Sequence, residues 1–244
     1  MAGPVANVRS LLEEGLVHHQ AGRSRQAEAF YRQALELEPH NADGLHLLGV
    51  CALELGEPDK AVELIGKAAA KNPRNANIQV HLGAACRAAG RMEDAAKAYL
   101  KATELAPLDI EAHYNLGMTL GALGRFQEAV PAYRKALEQS PDSAELHLLL
   151  GVALRDSGDL EGAERVYRRA LELRTDYAEA YGNLANVLQK QHRLEEAIEN
   201  YRMAVALRPD FFRQAASNLS TTGKGRIWLK LSKARAALTG DKSR

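Results

Sequence analysis

The sequence of 244 residues is poor in cysteine and tryptophan and has no long apolar run, and these absences exclude several classes of protein. No run approaches the ~18 consecutive apolar residues of a membrane-spanning helix. The first seven residues lack the basic and apolar segments of a secretion signal. We therefore predict no membrane span and a cytoplasmic location. The two cysteines, Cys51 and Cys86, fall on different predicted helices about 8–10 Å apart, too far for a disulfide, so we predict buried reduced thiols.

Motifs that catalyse reactions or bind cofactors are also missing. The sequence contains no HExxH, GxSxG or GxGxxG motif and no cysteine pair at zinc spacing. Residues 223–225, Gly-Lys-Gly, match part of a phosphate-binding loop, but residue 218 is asparagine where that loop needs a glycine, and no Ser or Thr follows the lysine. We predict a protein that is not an enzyme and has no cofactor.

What the sequence does contain is a 34-residue repeat, present six times without insertion or deletion. Three series of small residues recur: Gly15, Gly49, Gly83, Gly117, Gly151, Ala185; Ala27, Ala61, Ala95, Ala129, Ala163, Ala197; and Ala34, Ala68, Ala102, Ala136, Ala170, Ala204. A bulky residue stands between the second and third series, at Tyr31, Ile65, Tyr99, Tyr133, Tyr167 and Tyr201. Repeats of this length are typical of stacked helical units.

Each repeat has the pattern of two amphipathic helices joined by a turn. In the second repeat, Leu45, Leu48 and Ala52 recur at helical spacing before Gly56, and Ala61 begins a second such series after it. The turn glycines stand where a helix ends in a left-handed conformation; they are Gly22, Gly56, Gly90, Gly124 and Gly158. The sixth repeat has His192 instead, which we expect to cost some stability.

These positions, together with the closing residues Pro39, Pro73, Pro107, Pro141, Thr175 and Pro209, resemble the tetratricopeptide repeat. The resemblance implies an all-α, right-handed superhelical solenoid of stacked antiparallel helix pairs. We place the six repeats within residues 1–211, at 8–41, 42–75, 76–109, 110–143, 144–177 and 178–211. We expect residues 212–244 to form a partial seventh repeat with a C-terminal capping helix.

The C-terminal segment differs from the repeats in charge. Residues 212–244 carry eight Lys or Arg and one acid, a net charge of +7, and subtracting this from the chain total of +1 leaves −6 for residues 1–211. The spacing predicts a last helix with one apolar face, made of Ile227, Trp228, Leu231, Ala234 and Leu238. We interpret it as a cap on the stack. The alternatives are a basic helix that touches an anionic membrane surface or a partner, and a chain cut within a repeat.

In the family that the chain resembles, the first helices of the repeats line a concave groove that binds peptides. The groove positions carry an apolar series here: Leu12, Leu16, His46, Val50, Val80, Ala84, Tyr114, Met118, Leu148 and Val152. Polar groove residues flank it at Arg87, Asn115, Arg155, Asn183 and Asn186, with an acidic row at Asp43, Glu111, Glu145 and Glu179. An apolar floor between charged edges favours a protein partner bound as an extended peptide or amphipathic helix.

Four histidines also lie at related repeat positions. We expect His113 and His147, 34 residues apart, to pack against the preceding repeat, and His46 and His81 to face the groove. Two imidazoles without a third ligand make a poor metal site, so we predict no metal.

The residues favour a scaffold or adaptor over three other functions. The alternative is the substrate-recruiting part of an O-linked N-acetylglucosamine transferase-like or sulfotransferase-type enzyme, because the sixth repeat resembles those of such proteins in style. A chaperone-type carboxylate clamp is disfavoured, because the sixth repeat has Gly182 and Asn186 where it needs Lys and Asn. Nucleic-acid binding is disfavoured because the repeats carry a net charge of −6. Self-association through an imperfectly capped end is compatible with a scaffold.

Overall fold

The computed structural model describes residues 7–220 and residue 238, and it is helical without a strand over that part of the chain. Within the described range the helices are α1 (Val8–Gln20), α2 (Ser24–Leu37), α3 (Ala42–Glu54), α4 (Pro58–Lys71), α5 (Ala76–Ala88), α6 (Met92–Leu105), α7 (Ile110–Ala122), α8 (Phe126–Gln139), α9 (Ala144–Ser157), α10 (Leu160–Leu173), α11 (Ala178–Lys190), α12 (Leu194–Leu207) and α13 (Phe211–Ser220). The predicted all-α class is confirmed.

The chain divides into two compact units, an N-terminal unit of residues 1–124 and a C-terminal unit of residues 125–244. In the N-terminal unit each helix from α1 to α7 packs on the next one along the chain, and α3 also contacts both α1 and α5. In the C-terminal unit α8 to α13 pack in the same sequential way, and α11 contacts α9 and α13. Each unit is therefore a stack of helix pairs, the helical-solenoid arrangement expected for tetratricopeptide repeats.

The turn inside each pair is closed by a residue with a left-handed backbone. After α1, Gly22 has φ +70°, its N–H donates to His19 O, and the N–H of Arg23 donates to His18 O, which is the Schellman arrangement. The same conformation recurs at all five predicted glycines. His192 adopts it too, at φ 65°, although a Cβ is unfavourable there by roughly 1–2 kcal/mol.

The first helices begin at a side-chain cap that sequence reasoning missed. Each cap is the residue just before the helix, and its side chain accepts a hydrogen bond from the backbone N–H three residues on, at Asn7, Asn41, Asn75, Asp109 and Ser143. Such a cap stabilises a helix by about 1 kcal/mol. Before α11 this position is Tyr177, which makes no such bond. The 34-residue recurrence of Asn, Asp and Ser was the available signal.

The core is made where a small residue of a first helix meets the bulky residue of the second helix. Tyr99 is fully buried, and a Cβ added at Gly83 would lie 2.7 Å from its ring. In the second repeat, a Cβ at Gly49 would lie 2.5 Å from Ile65 Cγ1. Glycine lets the two helices approach until the ring fills the gap, as the repeat pattern predicts.

Two predictions concern the chain ends and the membrane. The predicted capping helix falls on residues that, apart from Leu238, lie outside the described part of the chain, and so does the Gly-Lys-Gly segment at 223–225. Leu238 itself is buried. Among the described residues, none of the helices has the length and apolar character needed to cross a bilayer.

Candidate binding surface

The predicted groove residues lie on the first helices, and we call them together the first-helix surface. In the N-terminal unit, most of them are partly accessible, and Leu16 is 40% exposed. Val80 differs, because it is buried at 6% exposure and offers little area to a ligand. Its neighbour His81 is half-buried at the same level of α5. Leu12, Val50, Ala84, Tyr114, Asn115 and Met118 are half-buried, and Arg87 is exposed.

Two histidines of the N-terminal unit meet across neighbouring first helices. His46 Nε2 on α3 lies 2.8 Å from His81 Nδ1 on α5, a hydrogen-bond distance, with the ring planes at 44°. Burial, and then the charge of His81, lowers the pKa of His46 to about 4, although Asp43 opposes the shift. Burial also lowers the pKa of His81, against the influence of Glu111. Both rings are therefore neutral at pH 7, and a charge on either is disfavoured.

The acidic row is only partly neutralised. Asp43 and Glu111 are exposed and form no ion pair within the described part of the N-terminal unit. Glu179, in the C-terminal unit, pairs with Arg208. Unpaired carboxylates beside apolar side chains give the N-terminal part of the first-helix surface a negative character.

The arginine expected to supply a positive edge in the C-terminal unit is already engaged. Arg155 donates from Nε and Nη2 to the two carboxylate oxygens of Asp156 at 2.7 and 2.9 Å. Its Nη1 donates to Asn183 Oδ1 at 2.8 Å, which joins α9 to α11. Hydrogen bonding to Asp156 raises the pKa of this half-buried guanidinium. Arg155 therefore orients Asn183 and brings little unpaired charge to the surface.

A cavity opens beside Asn183 between α11 and α13. It is lined by Glu179, Gly182, Asn183, Asn186, Tyr201, Phe211, Gln214 and Ala215. Asn186 Oδ1 accepts from Tyr201 Oη at 2.6 Å and from Asn218 Nδ2 at 2.7 Å. These bonds hold α13 against α11. The cavity wall is rich in amides, which suit hydrogen bonding to peptide groups more than binding of an ion.

The other two histidines at related repeat positions, His113 and His147, have a structural role, as predicted. His113 Nε2 donates to Pro107 O at 3.0 Å, and His147 Nε2 donates to Pro141 O at 2.9 Å. Each imidazole thus satisfies the carbonyl of the loop that precedes its own helix. His113 is buried at 8% exposure. Within the described residues, no cluster of three or more His, Cys, Asp or Glu is arranged to hold a metal ion.

One arrangement in the N-terminal unit has the composition of a catalytic triad. Cys51 Sγ lies 3.8 Å from His19 Nδ1, and His19 Nε2 donates to Glu54 Oε1 at 2.9 Å. Cys51 is fully buried, however, and burial, together with nearby carboxylates, raises its pKa to about 12. A thiol that is neither accessible nor ionised is not a nucleophile. Both cysteines are free and buried, as predicted.

The fold recurs in solved structures of other proteins. YrrB, described as a TPR protein with an unusual peptide-binding site, is 20% identical over 74% of this chain and 93% of its own, with a TM-score of 0.68. MamA from Desulfovibrio magneticus RS-1 is 20% identical over 69% and 96%, with a TM-score of 0.64. PilF of Pseudomonas aeruginosa is 23% identical over 83% and 92%, with a TM-score of 0.63. At these identities the likeness concerns the fold alone.

A comparison with curated proteins gave no match. The family model of the C-terminal domain of cilia and flagella-associated protein 70, a tetratricopeptide-repeat domain, matches residues 1–222. This match spans all six predicted repeats, and the helix pairs, the left-handed turns and the small-on-bulky packing of each compact unit agree with it. The chain therefore belongs to the tetratricopeptide-repeat family of the C-terminal domain of cilia and flagella-associated protein 70.

Proposed function

We propose that the chain is an interaction scaffold that binds a partner protein on the first-helix surface of its N-terminal unit. The observation that carries the proposal is that apolar side chains on the first helices stay at least partly accessible, among them Leu12, Leu16, Val50 and Met118. A group of apolar side chains exposed together on one surface marks an interaction site more often than single exposed apolar side chains do. The tetratricopeptide-repeat fold and the peptide-binding site ascribed to YrrB support a peptide ligand.

Charge indicates the kind of peptide. Residues 1–124 carry 15 acidic and 12 basic residues, a net charge of −3. Asp43 and Glu111 lie on the first-helix surface without an ion pair among the described residues. A partner segment with apolar anchors and flanking Lys or Arg is complementary to this arrangement. Such a segment binds through its apolar side chains, and its basic side chains set its direction.

The test compares substitutions on and off the surface. Peptides of twelve residues are selected from a random library against the intact chain, and their dissociation constants are measured by fluorescence anisotropy. We expect the double variant Leu16→Glu, Met118→Glu to weaken binding at least about tenfold, because each new carboxylate would be buried against an apolar side chain of the ligand. The matched control is Val17→Glu with Leu100→Glu, two exposed apolar positions outside the surface, 61% and 50% exposed. Equal loss in both double variants would contradict the proposal.

A further inference from the structure

The hydrogen-bonded pair His46–His81 is a polar element inside the apolar part of the first-helix surface, and it is held in place from two helices. Its rings come from α3 and α5, so neighbouring repeats fix the position of both. The inner nitrogens, His46 Nε2 and His81 Nδ1, are hydrogen-bonded to each other at 2.8 Å. The outer nitrogens, His46 Nδ1 and His81 Nε2, make no hydrogen bond within the described part of the chain, and neither is sealed from solvent.

The neutral pair offers the same two groups outward whichever ring donates. If His46 Nε2 carries the shared proton, His46 Nδ1 is an acceptor and His81 Nε2–H is a donor. If His81 Nδ1 carries it, the outer roles exchange, and again one donor and one acceptor face outward. A ligand therefore meets one N–H and one lone pair in either tautomer.

An extended peptide residue carries the complementary groups. Its backbone N–H and C=O point to the same side of the chain, as they do when a strand pairs with its neighbour. We propose that the His46–His81 pair is a subsite that binds the N–H and C=O of one residue of an extended peptide. This inference rests on the proposed function, because it assigns a role within the same surface.

The surrounding charges argue against an anionic ligand at this subsite. Three other charged or titratable groups act on the two rings. They are Asp43 on α3, the helix of His46, Glu111 on α7 and His19 on α1. The two carboxylates repel an anion, and burial keeps both rings uncharged at neutral pH. A neutral donor and acceptor beside carboxylates suit a neutral amide within a basic peptide.

Replacing single amides of the ligand by esters tests the subsite. In a selected peptide that depends on Leu16 and Met118, each backbone amide is exchanged in turn for an ester, which removes the N–H and weakens the carbonyl acceptor. We expect the ester that replaces the N–H of the bound residue to weaken binding to the wild type about tenfold, the loss of about 1.4 kcal/mol typical of a hydrogen bond in a buried interface. The ester one residue further on weakens the carbonyl acceptor of the bound residue and should cost less. The first of these esters should cost less than about twofold in His46→Leu and in His81→Leu, because each variant removes one ring and releases the other from the hydrogen bond that positions it.

Controls separate this inference from the proposed function. His40→Leu, an exposed histidine that precedes α3, should keep the full ester effect, and His81→Asn, which retains a donor and an acceptor, should keep part of it. If the affinity for the peptide is unchanged as the pH is lowered from 8 to 6, the result supports a neutral histidine pair. An affinity that rises as the pH is lowered would overturn it. An ester effect that is equal in wild type and His46→Leu overturns the subsite alone. If no selected peptide depends on Leu16 and Met118, both proposals fail.

Discussion

A charge placed at Ala61 should strongly destabilise the N-terminal unit, whereas a charge at Ala70 on the same helix should be tolerated. Ala61 is fully buried in a cluster with Leu45, Ile65 and Ile78, which come from three helices. Ala70 is exposed at the far end of α4. The two sites share residue type and helix, so the comparison isolates burial.

The magnitude follows from two costs at the buried site. Glutamate adds volume to a packed core, which costs about 1–3 kcal/mol. Its carboxyl group has no partner among the apolar neighbours of Ala61 and costs several kcal/mol more. We expect Ala61→Glu to lose ~4 kcal/mol or more, out of the 5–15 kcal/mol of a typical domain. Ala70→Glu should stay within ~0.5 kcal/mol of wild type.

Urea denaturation followed by circular dichroism at 222 nm measures the difference. With a slope of about 2 kcal/mol per molar urea, Ala61→Glu should lower the midpoint by roughly 2 M. The buried carboxyl has a raised pKa in the folded state, so the folded state binds more protons and the penalty should grow as the pH rises from 4 to 7. Midpoints that agree within 0.3 M for the two variants, with the slope unchanged, would refute the register assigned to the second helices.

Other predictions follow from single residues. Because burial lowers the pKa of His46 below its unfolded value, stability should fall as the pH drops from about 6.5 to 4 by on the order of 1–2 kcal/mol, with solvent screening included, and His46→Leu should flatten that slope in urea titrations. Cys51 and Cys86 should react with a thiol reagent only as fast as the chain unfolds, and rapid labelling of the native chain would contradict their burial. His192→Gly should raise the free energy of unfolding by ~1 kcal/mol, and Gly90→Ala should lower it by a similar amount, because both residues have positive φ. A Cβ at Gly90 meets no neighbour, so the effect there comes from the backbone conformation and not from a clash.

The helices and the core were predictable because their signals lie within one repeat. The left-handed turn at Gly56 and the contact between Gly49 and Ile65 each involve residues fewer than 20 positions apart. A pattern repeated six times makes such local signals unambiguous, since the same steric requirement appears at the same place each time. The family resemblance and the all-α class therefore agree with the structure.

The details of the surface were not predictable because they depend on how neighbouring repeats are offset. His46 meets His81 at a separation of 35 residues, and Arg155 meets Asn183 at 28, so neither contact follows the period of 34. Other contacts depend on side-chain rotamers, which the sequence does not specify. An example is the hydrogen bond from Arg155 to the adjacent Asp156. Burial of Val80 likewise depends on how closely α5 packs on its neighbours. A search for pairs one residue off the period would have found the histidines.

This offset explains why a regular repeat can carry a specific surface. Core positions must stay small or bulky, which is why the series of Ala61 and Ile65 varies so little along the chain. Surface positions that meet across repeats differ between the two levels where such a pair is seen: two imidazoles meet between α3 and α5, but a guanidinium and an amide meet between α9 and α11. Substituting the cross-repeat pairs should therefore change what the chain binds at little cost in stability, whereas substituting the within-repeat pairs should change stability first.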